Sequence, residues 1–386
     1  MKTTDSFMKN IFCYFIFLFF TSVLAGGCHS HSKADGQLAS GDTLHFEYAR
    51  NIEAIRYPDH CVVKIRNPWD TLTTLHTYIL GERGTMPNKI SIAGTKVCIP
   101  VKRSIVYSSV HNSLFLSLGA VDQIAGVCDL KYITLPEIQS KCQQNIIKDC
   151  GNSMNPDLET IIDAAPDAIF LSPFENSGGY GKIEKLNIPI IECADYMESS
   201  PLGRAEWMKF YGLLTGKEKE ADSLFRAIEQ EYLFYSSKAK AMDSRPSVLC
   251  ELKNGSAWYV PTRKSTTGRL IADAGGKYLF DYLEGYGAVA LPAETVIDKA
   301  HQADIWMVKY GSAAAKTYSQ LASEYVPYSS FKAFKTRRIY GCNTFQRPFY
   351  EESPFHPHLL LKDMIKILHP DLLQDYLPRY FTPLDE

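Results

Sequence analysis

Short apolar runs separated by polar turns recur along the chain, and from residue 104 onward they alternate with stretches of helical periodicity. Strand-like runs fall first at 44–48, 61–66, 74–80 and 104–107. A helical stretch over 109–118 stops at Gly119, and a strand at 123–127, a helix at 158–165 and a strand at 168–171 come next. Residues 182–186 read as a short helix and 188–193 as a buried strand. Strands alternating with helices require a parallel sheet covered on both faces. Segment 217–241 breaks the rhythm: it has no Gly or Pro and places Ala221, Leu224, Phe225, Ile228 and Tyr232 on one helical face. A helix of that length spans roughly 37 Å, enough to bridge two lobes. Alternation resumes with strands at 247–251, 303–308 and 338–341, a helix through 270–274 and an amphipathic C-terminal helix closed by Pro370.

A repeated submotif ties the two halves together. Glu159-Thr160-Ile161-Ile162-Asp163-Ala164-Ala165 recurs as Glu294-Thr295-Val296-Ile297-Asp298-Lys299-Ala300, each copy a helix start leading into a buried strand. The predicted fold class is therefore α/β, with two doubly wound α/β lobes joined by one long α-helix.

The amino end has a different texture. An apolar run over 11–24 follows Lys2 and Lys9 and ends in Ala25-Gly26-Gly27, the layout of a secretory signal and shorter than the ~20 residues of a spanning helix. Met8 is an alternative start. Leu24-Ala25-Gly26-Gly27-Cys28 resembles a lipobox, with Ala25 where Leu is more usual. On that reading residues 1–27 are removed and Cys28 is lipidated, each buried methylene adding ~0.8 kcal/mol of membrane affinity. Residues 28–43 then form a polar tether, 44–97 an N-terminal strand extension, 98–216 the first lobe, 217–241 the connecting helix and 242–386 the second lobe.

Charge and composition narrow the partners. With 41 Lys and Arg against 43 Asp and Glu the 386-residue chain has a net charge of −2, which gives no footprint for a phosphate backbone, and nucleic acid is excluded as a partner. Tyr (23) and Phe (20) far outnumber Trp (4), which fits large cores or an aromatic-lined binding surface. Eight cysteines lie beyond Cys28: Cys61, Cys98, Cys128, Cys142, Cys150, Cys193, Cys250 and Cys342. Those in or beside strand-like runs read equally well as buried thiols, and Cys142 with Cys150, in a polar stretch, is the first candidate disulfide. No CxxC or HExxH occurs, the pairs His29/His31 and His356/His358 read as surface histidines, and no metal site or resident cofactor is expected.

Several features together carry a family resemblance over roughly residues 98–385. They are Leu118-Gly119-Ala120 through Ile124-Ala125-Gly126-Val127, Asn155-Pro156-Asp157-Leu158-Glu159-Thr160 with Pro166-Asp167, Ile188-Pro189, the long helix, Ala274-Gly275-Gly276 and the second Glu294 copy. In their order and spacing the chain resembles the solute-binding lipoproteins of bacterial ABC importers for iron-siderophores, haem and cobalamin. The resemblance implies a ligand cleft between the lobes, little hinge bending, a monomer, and a lipid-anchored periplasmic location in a bacterial cell envelope. It also implies that one surface Glu per lobe, here Glu159 and Glu294, pairs with arginines of the permease. As residues, both sit in the first turn of a helix, where a carboxylate also complements the helix dipole.

Ligand-binding residues are expected on loops at the carboxyl ends of the strands. Those loops hold Tyr107, Phe174 and Tyr180 in the first lobe and Trp258, Tyr259, Arg263, Tyr310, Phe345, Arg347 and Tyr350 in the second. Aromatic faces suit a flat or chelated ligand, and Arg suits carboxylate or hydroxamate oxygens. His111 is a candidate axial ligand to haem or corrinoid metal, although a lone His at a helix start is more often structural. Two other classes compete. A receptor for bare Zn²⁺ or Mn²⁺ would need converging His and carboxylates, which the spacing of His45, His60, His76, His111 and His301 does not provide. An enzyme would have to work without a G-x-S-x-G elbow, a P-loop or a zinc signature, and none of these is present.

Overall fold

The computed structural model describes residues 41–86, 90–175 and 179–386. The apolar signal-like run, Cys28 and most of the tether lie outside the described residues. Three five-stranded sheets organise the described chain.

The N-terminal sheet has its strands in sequential order: β1 (Asp42–Leu44), β2 (Ile52–Arg56), β3 (Cys61–Arg66), β4 (Thr74–Glu82) and β5 (Thr95–Ile99). All neighbours are antiparallel except the β4–β5 pair. The strand expected at 44–48 is displaced, because β1 ends at Leu44 and the backbone beyond it makes other bonds. The amides of Glu47, Tyr48 and Ala49 donate to the carboxylate of Glu206 at 2.7–2.9 Å, and those of Arg50 and Asn51 donate to Glu198 at 2.8–2.9 Å. Glu198 also accepts the Trp207 indole N–H at 3.0 Å. Both carboxylates are buried, so each donor offsets part of the cost of holding a charge away from water.

The first lobe is built on β6 (Ser104–Val106), β7 (Ile124–Val127), β8 (Lys148–Asp149), β9 (Ala168–Leu171) and β10 (Ile190–Glu192), parallel throughout in the spatial order β10-β9-β6-β7-β8. Alternation along β6 sends Ile105 to one face and Val106 to the other, into separate apolar clusters. Cys150 belongs to one cluster and Cys142 packs against the other. That separation corrects the disulfide expectation, since all eight cysteines from Cys61 onward are free thiols. Helix α1 (Ser109–Ser117) follows β6, capped by the Ser108 hydroxyl, and α2 (Leu158–Asp163) precedes β9, capped by Asp157.

Helices α3 (Pro201–Glu206) and α4 (Met208–Thr215) close the lobe, and Gly216, left-handed at φ 70°, lets the chain turn directly into α5 (Glu218–Lys240). This 23-residue helix buries Ala221, Phe225, Ile228, Tyr232, Ser236 and Ala239 along one face. Its acidic first turn and basic last turn complement its dipole.

The second lobe has parallel strands β11 (Ser247–Cys250), β13 (Lys277–Tyr278), β15 (Ile305–Tyr310) and β16 (Ile339–Asn343), with antiparallel β17 (Thr382–Pro383) at the edge, in the order β13-β11-β15-β16-β17. Beside it, β12 (Ala257–Pro261) pairs antiparallel with β14 (Ala288–Pro292). Helices α6 (Thr266–Asp273), α7 (Ala293–Ala300), α8 (Phe349–Glu352) and α9 (Pro357–Leu368) are among those that cover the lobe. The two E-T-x-I-D-x-A copies fall on α2 and α7, and each feeds the strand that lies beside the first strand of its sheet.

On β12 the two-residue period of a strand separates neighbours. Trp258 points inward at 0% exposure, against Trp306, Tyr328 and Phe331, and its indole N–H donates to the Cys250 carbonyl at 3.1 Å. Tyr259, next along, is 50% exposed. Trp258 is therefore a core residue, which corrects its assignment to the ligand face.

Two stability outcomes are expected from this packing. Glu206→Ala strands three amides and should lower the unfolding free energy by about 3 kcal/mol, with Glu206→Gln losing less, as read by urea denaturation. Trp258→Ala should lower it by about 3–5 kcal/mol through the cavity it leaves.

Candidate functional site

Each parallel sheet has one point where successive connections leave in opposite directions, and side chains beyond the strand ends there diverge into a crevice. In the first lobe this point lies between β6 and β9, and in the second between β11 and β15. A hollow opens at both.

The first-lobe hollow, about 750 Å³, is lined by Tyr107 just past β6, Phe174 just past β9, and Tyr180. Burial pushes the Tyr107 phenol well up, and its oxygen is buried without a hydrogen-bond partner among the described residues. Phe174 is exposed, whereas Tyr180 is half-buried and donates its hydroxyl to Glu192 at 2.7 Å. The sequence reading missed Tyr132 and Met154, which line the same hollow and are largely exposed. Their signal was slight: each is a large apolar residue in a polar loop.

The second-lobe hollow, about 480 Å³, is lined by Tyr259 and Tyr350 together with Tyr286, Glu251 and Lys309. Glu251 caps the end of β11 in a left-handed conformation, φ 68°, uncommon outside Gly, Asn and Asp. Its carboxylate pairs with the Lys309 ammonium, which also lies 5.4 Å from the Phe349 ring. Burial works against the Lys309 charge, but the adjacent carboxylate outweighs it and the pKa rises. Lys309 therefore stays cationic in the wall of the hollow.

The other expected contact residues stand elsewhere. Arg263 is exposed, pairs with Glu284 at 2.5 Å and borders a different hollow beside Arg269 and Asp281. Tyr310 is turned into its own lobe, accepting the Lys316 amide at 3.0 Å and packing over Gly341. Phe345 lies across Gly311, largely exposed, and the exposed Arg347 comes two residues later, both outside the lining of the second hollow. His111 is sealed at 2% exposure and bonded to Asp195 at 2.7 Å, with Tyr211 and Arg204 on the same carboxylate. Burial alone would lower its pKa, but Cys193 and Asp195 beside it raise it; sealed and held by Asp195, His111 has no path to a ligand and is not an axial ligand. Among the described residues no three His, Cys, Asp or Glu side chains converge as a metal site.

A seam joins the two hollows. Glu351, one residue after Tyr350, reaches across to the first lobe, where its buried carboxylate accepts the Thr134 amide at 2.7 Å and the Thr134 hydroxyl. Ile133, next to Thr134, lines the first hollow. Phe355 packs on His111 and Tyr211, and Ser117 meets His356 at 3.2 Å. Glu159 and Glu294 are exposed at the starts of α2 and α7, with no ion pair among the described residues.

Comparison with known proteins agrees with this layout. A family model described as periplasmic binding protein matches residues 105–344, more than half of the chain. An uncharacterized lipoprotein of Methanocaldococcus jannaschii is 28% identical over 294 residues, covering 73% of this chain and 69% of the relative. The periplasmic haem-binding protein HutB of Vibrio cholerae superposes with a TM-score of 0.55 at 16% identity, covering 70% of this chain and 100% of its own. A protein of the ABC-type Fe³⁺-hydroxamate transport system from Saccharomonospora viridis superposes with a TM-score of 0.54 at 15% identity, covering 70% and 94%. At these identities the superpositions carry the fold. With two α/β lobes, one long helix between them and the family match across both, the chain belongs to the periplasmic binding protein family, whose members bind solutes and deliver them to ABC transporter permeases.

Proposed function

We propose that the chain captures an iron-siderophore, haem or corrinoid between its lobes and presents it to the permease while anchored through Cys28 on the outer side of a cell membrane. The observation that carries this reading is the placement of a tyrosine-lined hollow at the switch point of each sheet, the two adjoining through the Glu351 seam. Both volumes fall in the ~300–1,000 Å³ range of small-molecule sites. Tyrosine rings offer faces to flat or apolar parts of a chelate and hydroxyls to its oxygens, and Lys182 and Lys309 favour an anionic one. Relatives named as haem-binding and Fe³⁺-hydroxamate transport proteins share the fold, and the archaeal relative named as a lipoprotein supports the envelope location.

Thermal melts with haemin, ferrichrome and cobalamin test the cargo. One of them at 100 times its Kd should stabilise the protein by ~2.7 kcal/mol. Tyr259→Ala should then weaken that ligand about tenfold or more, roughly 1.4 kcal/mol, with the fold intact. No shift with any of the three, or stabilisation by zinc or manganese alone, would overturn the chelate reading.

Docking is tested separately. Glu159 and Glu294, one on each lobe and both free of internal pairing among the described residues, would give a two-point electrostatic register to a basic permease surface. Reversing both charges to Lys should abolish stimulation of the transporter's ATPase while ligand affinity stays the same. Normal stimulation by the double variant would leave them only a helix-dipole role.

A further inference from the structure

The N-terminal sheet lies outside the residues that match the family, yet one carboxylate links it to Tyr180 in the wall of the first hollow. Glu192, at the end of edge strand β10, is only 7% exposed. One oxygen accepts the Tyr180 hydroxyl at 2.7 Å. The other has no hydrogen bond among the described residues, and the His76 ring of β4 lies beside it, with Nδ1 at 3.4 Å.

His76 is itself held from two sides. Its Nε2 meets the Thr95 hydroxyl of β5 at 2.8 Å, and its ring stacks on Tyr78 at 4.3 Å between centroids. Tyr78, fully buried, accepts the Glu192 amide at 2.8 Å and donates to the Ile190 carbonyl at 3.0 Å. Two side chains of β4 thus fix both the backbone and the carboxylate of Glu192, and Glu192 fixes the phenol that forms part of the cavity wall.

We infer that the N-terminal sheet is a brace for the ligand cavity, in which His76 and Tyr78 hold Glu192 and Glu192 sets the orientation of Tyr180. The inference rests on the reading of the first hollow as part of the ligand site. A buried carboxylate left short of donors is costly, so Tyr180 leaves Glu192 only at the expense of that bond. The wall residue is therefore held in place before any ligand arrives, and less ordering is left to be done on binding. His76, Tyr78 and Glu192 are positioning residues and touch no ligand themselves.

Trypsin cleavage after Lys182 and Lys185, just beyond Tyr180 on an exposed turn, reports how often the wall loosens, with cleavage after Lys335 in the other lobe as the internal control. His76→Leu should speed cleavage at 182 and 185 about fivefold relative to the control, and His76→Gln, which keeps a polar side chain beside Glu192, should restore most of the protection. Tyr180→Phe should give the same acceleration, and the double variant no more than either single one. Wild-type cleavage in His76→Leu, or effects of His76→Leu and Tyr180→Phe that multiply, would overturn the brace; a melt of each variant separates local loosening from global unfolding. Haemin, ferrichrome and cobalamin titrations form the second arm. If wild type binds one of them, His76→Leu and Tyr180→Phe should weaken it by the same factor, and unequal factors count against the brace. If wild type binds none of the three, the ligand reading falls and the cleavage rates still decide whether the sheet holds Tyr180.

Discussion

Two buried carboxylates, Glu206 and Glu198, hold five consecutive backbone amides of the N-terminal segment and so weld an extra sheet onto the first lobe. Neither partner tolerates separation. Without the carboxylates the amides of residues 47–51 lose their acceptors, and without the amides two charges lie buried against Trp207 and Lys209 with too few donors. This reciprocity makes the sheet a fixed layer of the lobe, and only a fixed layer can transmit position to β10 and on to the rim of the cavity.

The rest of the architecture is set by where parallel strands end. Two sheets of similar plan each open a crevice at the switch point, and the repeated E-T-x-I-D-x-A segment occupies the same place in both plans, so the exposed Glu of each lobe stands at the start of an equivalent helix. The hollows differ in character. The first is larger, and its polar groups, Asp129, Asn155 and Lys182 among them, are spread around the rim. The second is built around the Lys309–Glu251 pair, with the strained backbone of Glu251 aiming the carboxylate at the ammonium.

Much of this was legible from residue order, because alternation and helical periodicity are local. The long helix, the repeat and the core strands of both lobes belong to that class. What escaped depended on partners far away in the chain. Residues 44–48 have the apolar pattern of a strand, but their amides find Glu206 some 160 positions on and the strand forms earlier. Strand β2 was invisible because its pairing is set by its neighbours and not by its own composition. Adjacent aromatics posed a different problem: the two-residue period says that Trp258 and Tyr259 face opposite ways and does not say which faces the core. Arg263 and Tyr310 lie at the expected strand ends, yet Glu284 and the Lys316 amide claim them first.

The Glu351 seam has a kinetic side. The lobes are connected in sequence by a continuous helix and in space by a carboxylate that accepts two hydrogen bonds from Thr134. If parting the lobes costs those charged bonds, a penalty of about 3 kcal/mol leaves roughly one molecule in a hundred open at any moment. Release through spontaneous gaping is then slowed about a hundredfold relative to an open cleft. Faster unloading would call for an outside agent that grips both lobes at once and works against the seam.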